Sequence, residues 1–154
     1  MLINMSLEIR INEDIKAAML AKDKEKLEAL RAVKAALLLI KTGKDTATSE
    51  VPEELEMQTL QRLIKQRKEA ADIYKNQGRN DLYEVETFQV SIIEKYLPEQ
   101  LSQDEIKQIV QQIIIETAAV GVRDMGKVMG LASKQLTGKA DNKTVAAIVK
   151  ELLN

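Results

Sequence analysis

The residues best suited to chemistry on an anion stand near the C-terminal end of the chain. Lys127 and Lys134 are seven positions apart, two turns of a helix, so they share one face about 10 Å apart. Lys139 and Lys143 flank the start of a last helix. The free N–H groups and partial positive charge there attract phosphate. Arg123 precedes the set. The same lysines also read as ordinary solvated side chains beside a helix that Asp141 caps. Gly126 and Gly130 sit one turn apart within the same helix as Lys127. Each costs about 1 kcal/mol relative to Ala in a helix. Close approach of another backbone would offset that cost, and the backbone could be a neighbouring helix or a sugar–phosphate chain.

Other candidates are weaker. Arg62, Lys65, Arg67 and Lys68 form a basic stretch, but their spacing spreads them around the helix. Arg67 falls on the apolar stripe, where pairing with a carboxylate is expected. Glu53/Glu54 and Glu84/Glu86 have no nucleophile or metal-ligand pattern beside them and read as a solvated face. The chain has no Cys and no His. Thiolate nucleophiles, disulfides, Cys-bound zinc and the commonest general base are thereby excluded. No Gly-rich phosphate loop is present, and no cofactor is expected. The four aromatics, Tyr74, Tyr83, Phe88 and Tyr96, all precede the basic segment. Nucleic acid bound there would be gripped by backbone and shape rather than by stacking.

These side chains must be positioned by helices. Six glycines and two prolines are too few for a turn-rich β fold, while Ala, Leu, Ile, Glu, Lys and Gln dominate. Leu7, Ile11, Ile15, Ala18 and Met19 recur at helical spacing. Asp23 suits the cap of a second helix, about 24–42, striped by Leu27, Leu30, Val33, Leu37 and Ile40, with Gly43 at its end. Lys44 to Glu50 reads as a polar loop. Pro52 and three glutamates open a third helix with Leu60, Leu63/Ile64, Arg67, Ala71 and Tyr74 on its stripe. A fourth helix, about 81–95, shows Leu82, Val85, Gln89, Ile92/Ile93 and Tyr96. Pro98 then breaks the chain. Ser102 and Glu105 spell a capping box for a fifth helix with Ile106, Ile109/Val110 and Ile113/Ile114. Gly121 ends the following turn. Asp124 and Asp141 are expected to cap two more helices, striped by Met125, Val128/Met129, Ala132 and Leu136, and by Val145, Ile148/Val149 and Leu152. The expectation is an all-α, multihelical fold. Residues 1–97 form a long-helix subdomain and residues 98–154 a three-helix subdomain.

The net charge is −1 over 154 residues, but residues 120–154 carry six basic side chains against three acidic ones. A pI near 5.7 argues against a general nucleic-acid binder and leaves room for a local basic face. The longest apolar run, Ala35 to Ile40, is far too short to span a membrane. Met5-Ser6-Leu7 offers a second start, with Met1 to Asn4 as an extension. No signal peptide is evident, so the cytoplasm is the expected location.

Several motifs together resemble the GatB/YqeY family. They are Ile64-Lys65-Gln66-Arg67-Lys68-Glu69-Ala70 with Tyr74, Gly78-Arg79-Asn80-Asp81-Leu82, Tyr96-Leu97-Pro98-Glu99-Gln100-Leu101, Met125-Gly126-Lys127-Val128-Met129-Gly130 and Gly138-Lys139-Ala140-Asp141. The stand-alone YqeY-like proteins are the nearest match. The resemblance implies a two-subdomain helical fold, related to the C-terminal tail of the B subunit of tRNA-dependent amidotransferase. That enzyme converts Glu-tRNA or Asp-tRNA to the amide with glutamine as nitrogen donor. Its tail helps to hold the tRNA. The implied function is therefore a non-catalytic tRNA-binding accessory module. It would contact RNA through Lys127, Lys134, Lys139, Lys143 and Arg123, with Gly126 and Gly130 allowing close approach. Amidotransferase subunits or an aminoacyl-tRNA synthetase are the implied protein partners. Carbon–nitrogen ligase activity would belong to the relatives, with this chain at most taking part beside other subunits. A protein–protein adaptor of the same fold, without RNA, is the competing reading.

Overall fold

The computed structural model describes residues 6–43 and 51–154. The expected loop at Lys44 to Glu50 and the extension at Met1 to Asn4 lie outside the described residues. Seven α-helices and one short 3-10 turn make up the described secondary structure, with no strand among the described residues. The helices are α1 (Leu7–Leu20), α2 (Lys24–Gly43), α3 (Glu53–Asn76), α4 (Asn80–Glu94), α5 (Gln103–Thr117), α6 (Met125–Gln135) and α7 (Asn142–Leu153). The 3-10 turn, Val122–Asp124, leads directly into α6 and was not anticipated from the sequence. The chain divides into two compact units, Met1–Leu97 and Pro98–Asn154.

Caps fix several of the helix ends. The Ile9 N–H donates to the Ser6 hydroxyl at 3.3 Å, and the Lys26 N–H donates to Asp23 at 3.2 Å. Ser102 and Glu105 close a reciprocal capping box. Each such cap stabilises its helix by about 1 kcal/mol. Gly78 ends α3 with φ +73, the left-handed conformation that glycine adopts without strain. The corresponding residue after α5 is Ala118, φ +53, and not Gly121, whose backbone is extended.

The N-terminal unit packs Ile11, Leu30, Val33, Leu60 and Ile93 in its centre, each almost fully buried. Burying each stabilises the unit by about 1.5–3 kcal/mol. Tyr96 ties the end of α4 to α1. Its hydroxyl donates to the Asp14 carboxylate, and the Arg10 guanidinium lies 5.2 Å from its ring centre. Burial, the Asp14 hydrogen bond and the Asp14 charge push the phenol upward, so it stays protonated. Arg67 corrects an expectation: its partner is not a carboxylate. Its Nε donates to Gln89 Oε1 at 2.7 Å and one Nη donates to the Leu63 carbonyl at 3.1 Å. A neutral amide satisfies the guanidinium at the α3–α4 seam without a second buried charge. Met19 and Val85 also leave their expected stripes and face solvent.

The C-terminal unit has its own core of Ile106, Val110, Ile113, Val128, Ala132, Leu136, Val145 and Val149. α7 buries Leu153, with Leu152 only half-buried, so its stripe ends one residue later than expected.

Candidate nucleic-acid interface

The unit's core holds α6 by Val128, Ala132 and, just past its end, Leu136. Helical spacing then turns the opposite side outward. Gly126, Lys127, Gly130, Leu131 and Lys134 are all exposed. Lys127, Gly130, Leu131 and Lys134 lie within one arc of about 100° at roughly 100° per residue. No Asp or Glu occurs from Met125 through Ala140. Among the described residues, none of Arg123, Lys127, Lys134, Lys139 and Lys143 forms a direct ion pair.

The glycines settle one of the two readings set out for them. A Cβ at Gly126 or Gly130 would meet nothing within 4 Å. Among the described residues, no helix of the C-terminal unit packs against these glycines. Their backbone lies open beside the lysines. Leu131 is 42% exposed between Lys127 and Lys134, and Val120 and Val122 are exposed in the approach to α6. These apolar neighbours were not singled out in the sequence, although Leu131 lies about 120° around the helix from the centre of the α6 stripe.

Neither expected aspartate cap forms. Asp124 turns back, and its carboxylate accepts the Val120 N–H at 2.9 Å. That bond, chiefly, holds its carboxyl below the usual carboxylate range. The Gly121 N–H and the charges of Arg123 and Lys127 act in the same direction, against a smaller effect of burial. Asp141 stands at the N-cap of α7 with extended backbone and makes no side-chain cap hydrogen bond. Asp141 therefore takes up none of the first N–H groups of α7 with its side chain.

The α6–α7 link is fixed from the other end of the unit. Gly138, buried with φ +77, makes the left-handed turn. Its carbonyl accepts from Gln100 Nε2 at 2.7 Å, and the Lys139 carbonyl accepts the Leu101 N–H at 3.0 Å. Gln100 and Leu101 are thus positioning residues for exposed Lys139. Their place in the Pro98-Glu99-Gln100-Leu101 motif was the only signal for them. Lys143 is placed differently. It borders a shallow hollow of about 330 Å³ between α5 and α7, beside Thr144 and the Lys107–Glu151 ion pair at 3.7 Å. Gly126, Lys127, Gly130 and Lys134 share the exposed face of α6. Arg123 and Lys139 stand in the segments before and after that helix.

Among the described residues, no group of three or more Asp and Glu side chains is arranged to hold a metal ion. None of the described helices is long and apolar enough to cross a membrane.

Comparison with known proteins follows the same motifs. The family model described as Yqey-like protein matches residues 8–153. The chain belongs to the YqeY-like family. It is similar to "Altered inheritance of mitochondria protein 41, mitochondrial" of Pyrenophora tritici-repentis, 29% identical over 148 residues, covering 94% of this chain and 79% of the relative. It is also similar to the protein of the same name from Meyerozyma guilliermondii, 31% identical over 130 residues, covering 80% and 65% respectively. These names overturn the expected cytoplasmic location, since both relatives are named as mitochondrial. That expectation rested on the default for a chain without an apolar span, which does not separate cytosol from the interior of an organelle.

Proposed function

We propose that this YqeY-like protein is a non-catalytic module that grips the sugar–phosphate backbone of tRNA on the exposed face of α6. The observation that carries this reading is the pair of open glycines. Gly126 and Gly130 lie within α6 with no described neighbour that needs the space, and Lys127 and Lys134 beside them form no ion pair among the described residues. An RNA strand laid there would meet bare helix backbone, with Lys127 and Lys134 reaching phosphates on either side. Leu131 offers the riboses an apolar contact. Arg123 and Lys139 extend the positive field, and the uncapped start of α7 adds free N–H groups. The lack of aromatics in residues 98–154 fits recognition by backbone and shape. The choice of tRNA rests on the likeness to the tail of the amidotransferase B subunit. In this reading, amide transfer stays with catalytic partners and this chain contributes RNA positioning.

The test is a titration of the protein with total mitochondrial tRNA across salt, the RNA source that the names of the relatives suggest first. Three to four phosphate contacts give a slope of log K against log salt of about −2 to −4. Replacing Lys127, Lys134 and Lys139 together with Ala removes most of that slope. Unchanged affinity in that variant counts against the reading. The adaptor reading is favoured by a different surface, where the exposed apolar side chains Ile9 and Leu38 of the N-terminal unit line one cleft.

A further inference from the structure

The exposed face of α6 has a pattern along its axis as well as around it. Lys127 and Lys134 stand at the two ends of the face, about 10 Å apart at the rise of an α-helix. Gly130 and Leu131 lie midway between them, one on each side of the line that joins the lysines. The centre of the face is therefore uncharged and shallow. On one side it is bare backbone, where a Cβ at Gly130 would meet nothing within 4 Å. On the other it is a single aliphatic side chain, half-exposed.

An RNA that matches this face places anionic groups at two separated rims and neutral sugar edges between them. A single strand does not. Its phosphates form one line, and proteins hold its unpaired bases by stacking them on aromatic side chains along a basic groove. Residues 98–154 hold no Tyr, Phe or Trp, and this face is the convex outer side of a helix. A-form duplex RNA does match. Its minor groove is wide and shallow, bordered by the phosphates of two strands and lined by ribose 2′-hydroxyls. Its major groove is too deep and narrow for side chains to read.

Given the RNA reading of this face, on which the inference rests, we propose that α6 lies across the minor groove of an A-form RNA duplex. Lys127 meets the phosphates of one strand and Lys134 those of the other, with Gly130 and Leu131 against the riboses between. Gly126, one turn before Gly130, keeps the same flank of the helix low. The ligand is thereby narrowed from tRNA in general to a base-paired stem. Discrimination against DNA follows, because the B-form minor groove is only about 6 Å wide and has no 2′-hydroxyl.

The test measures binding of the full chain at low salt to labelled probes of one sequence, chosen so that neither strand pairs with itself. The probes are an RNA duplex of about 16 base pairs, each strand alone, and the same duplex with every ribose 2′-O-methylated. Methylation keeps the A-form and the phosphates but fills the minor groove and removes its hydroxyl donors. The unmodified duplex binds roughly tenfold or more tightly than either strand, and methylation weakens it roughly fivefold. Lys127→Ala/Lys134→Ala lowers duplex affinity about tenfold, and both side chains are exposed, so the variant folds. A single strand bound as tightly as the duplex overturns the inference. So does a methylated duplex bound as tightly as the unmodified one, or a duplex affinity that the double variant leaves unchanged. Total tRNA titrated alongside separates the two levels. If tRNA binds and the duplex does not, only the duplex inference falls; if neither binds, the RNA reading falls with it.

Discussion

Two helices of this protein carry clusters of basic residues, and they use them in opposite ways. On α3 the fold engages two of the four cations. Arg67 holds Gln89 and the Leu63 carbonyl, and Lys68 stands 3.7 Å from Glu94. Arg62 and Lys65 are exposed but point to different sides from Arg67, with Glu69 and Asp72 near in sequence. On α6 both lysines lie on one face, form no ion pair among the described residues and flank two glycines with no described neighbour. Similar residue types therefore yield a structural seam in one helix and an unclaimed surface in the other. The number of basic residues does not distinguish the two helices; what their neighbours are does.

The comparison can be tested most strongly by charge removal. The Lys127→Ala/Lys134→Ala/Lys139→Ala variant is expected to lose tRNA affinity by roughly 30-fold or more at low salt. The Arg62→Ala/Lys65→Ala variant should change it by less than about twofold, measured in the same titration. Equal losses would erase the distinction between the helices. The next effect is on stability. Arg67→Ala strips Gln89 of its donor and should destabilise the chain by about 1–2 kcal/mol in chemical denaturation, with tRNA affinity unchanged. Gly130→Ala should do the reverse. Its Cβ enters open space, so helix propensity alone acts, raising stability by about 1 kcal/mol. The added methyl group stands where the RNA strand would approach, so tRNA affinity should fall about threefold. Gly126→Ala gains less stability, since it sits in the first turn.

The smallest effect concerns pH. The Glu56 carboxyl lies above its unfolded value, so ionising it costs more in the folded state. That cost is absent below the ordinary carboxyl range and grows as pH rises through it. Glu56→Gln should therefore raise the melting temperature slightly at neutral pH, with the gain vanishing in acid. Asp124 has the opposite sign. Its stabilisation is present at neutral pH and is lost as pH falls through its depressed range.

Much of this molecule was legible in the sequence wherever local chemistry decides the outcome. Asp23 and Ser102 announced helix starts, because a side-chain oxygen three residues before an N–H acts within one turn. The stripes of α5 and α6 were legible because each faces a single core. Legibility failed where the neighbour decides. Val85 fits a helical stripe by spacing and yet faces water. Arg67 found an amide instead of a carboxylate, which only the pairing of α3 with α4 determines. Asp124 and Asp141 occupy cap positions, but the first is drawn to Val120 and the second makes no cap bond. The lysines of the candidate interface were readable as residues. That Gly126 and Gly130 lie open beside them was not, since glycine spacing alone fits a tight helix contact equally well.

Where RNA touches the chain decides between these helices. Amide chemical-shift mapping of the ¹⁵N-labelled protein during a tRNA titration reads that directly. The predicted result is a set of shifts concentrated between Arg123 and Lys143, strongest around Gly126 and Gly130, with α3 and α4 unmoved. Shifts centred on α3, or none at RNA concentrations well above micromolar, would contradict it.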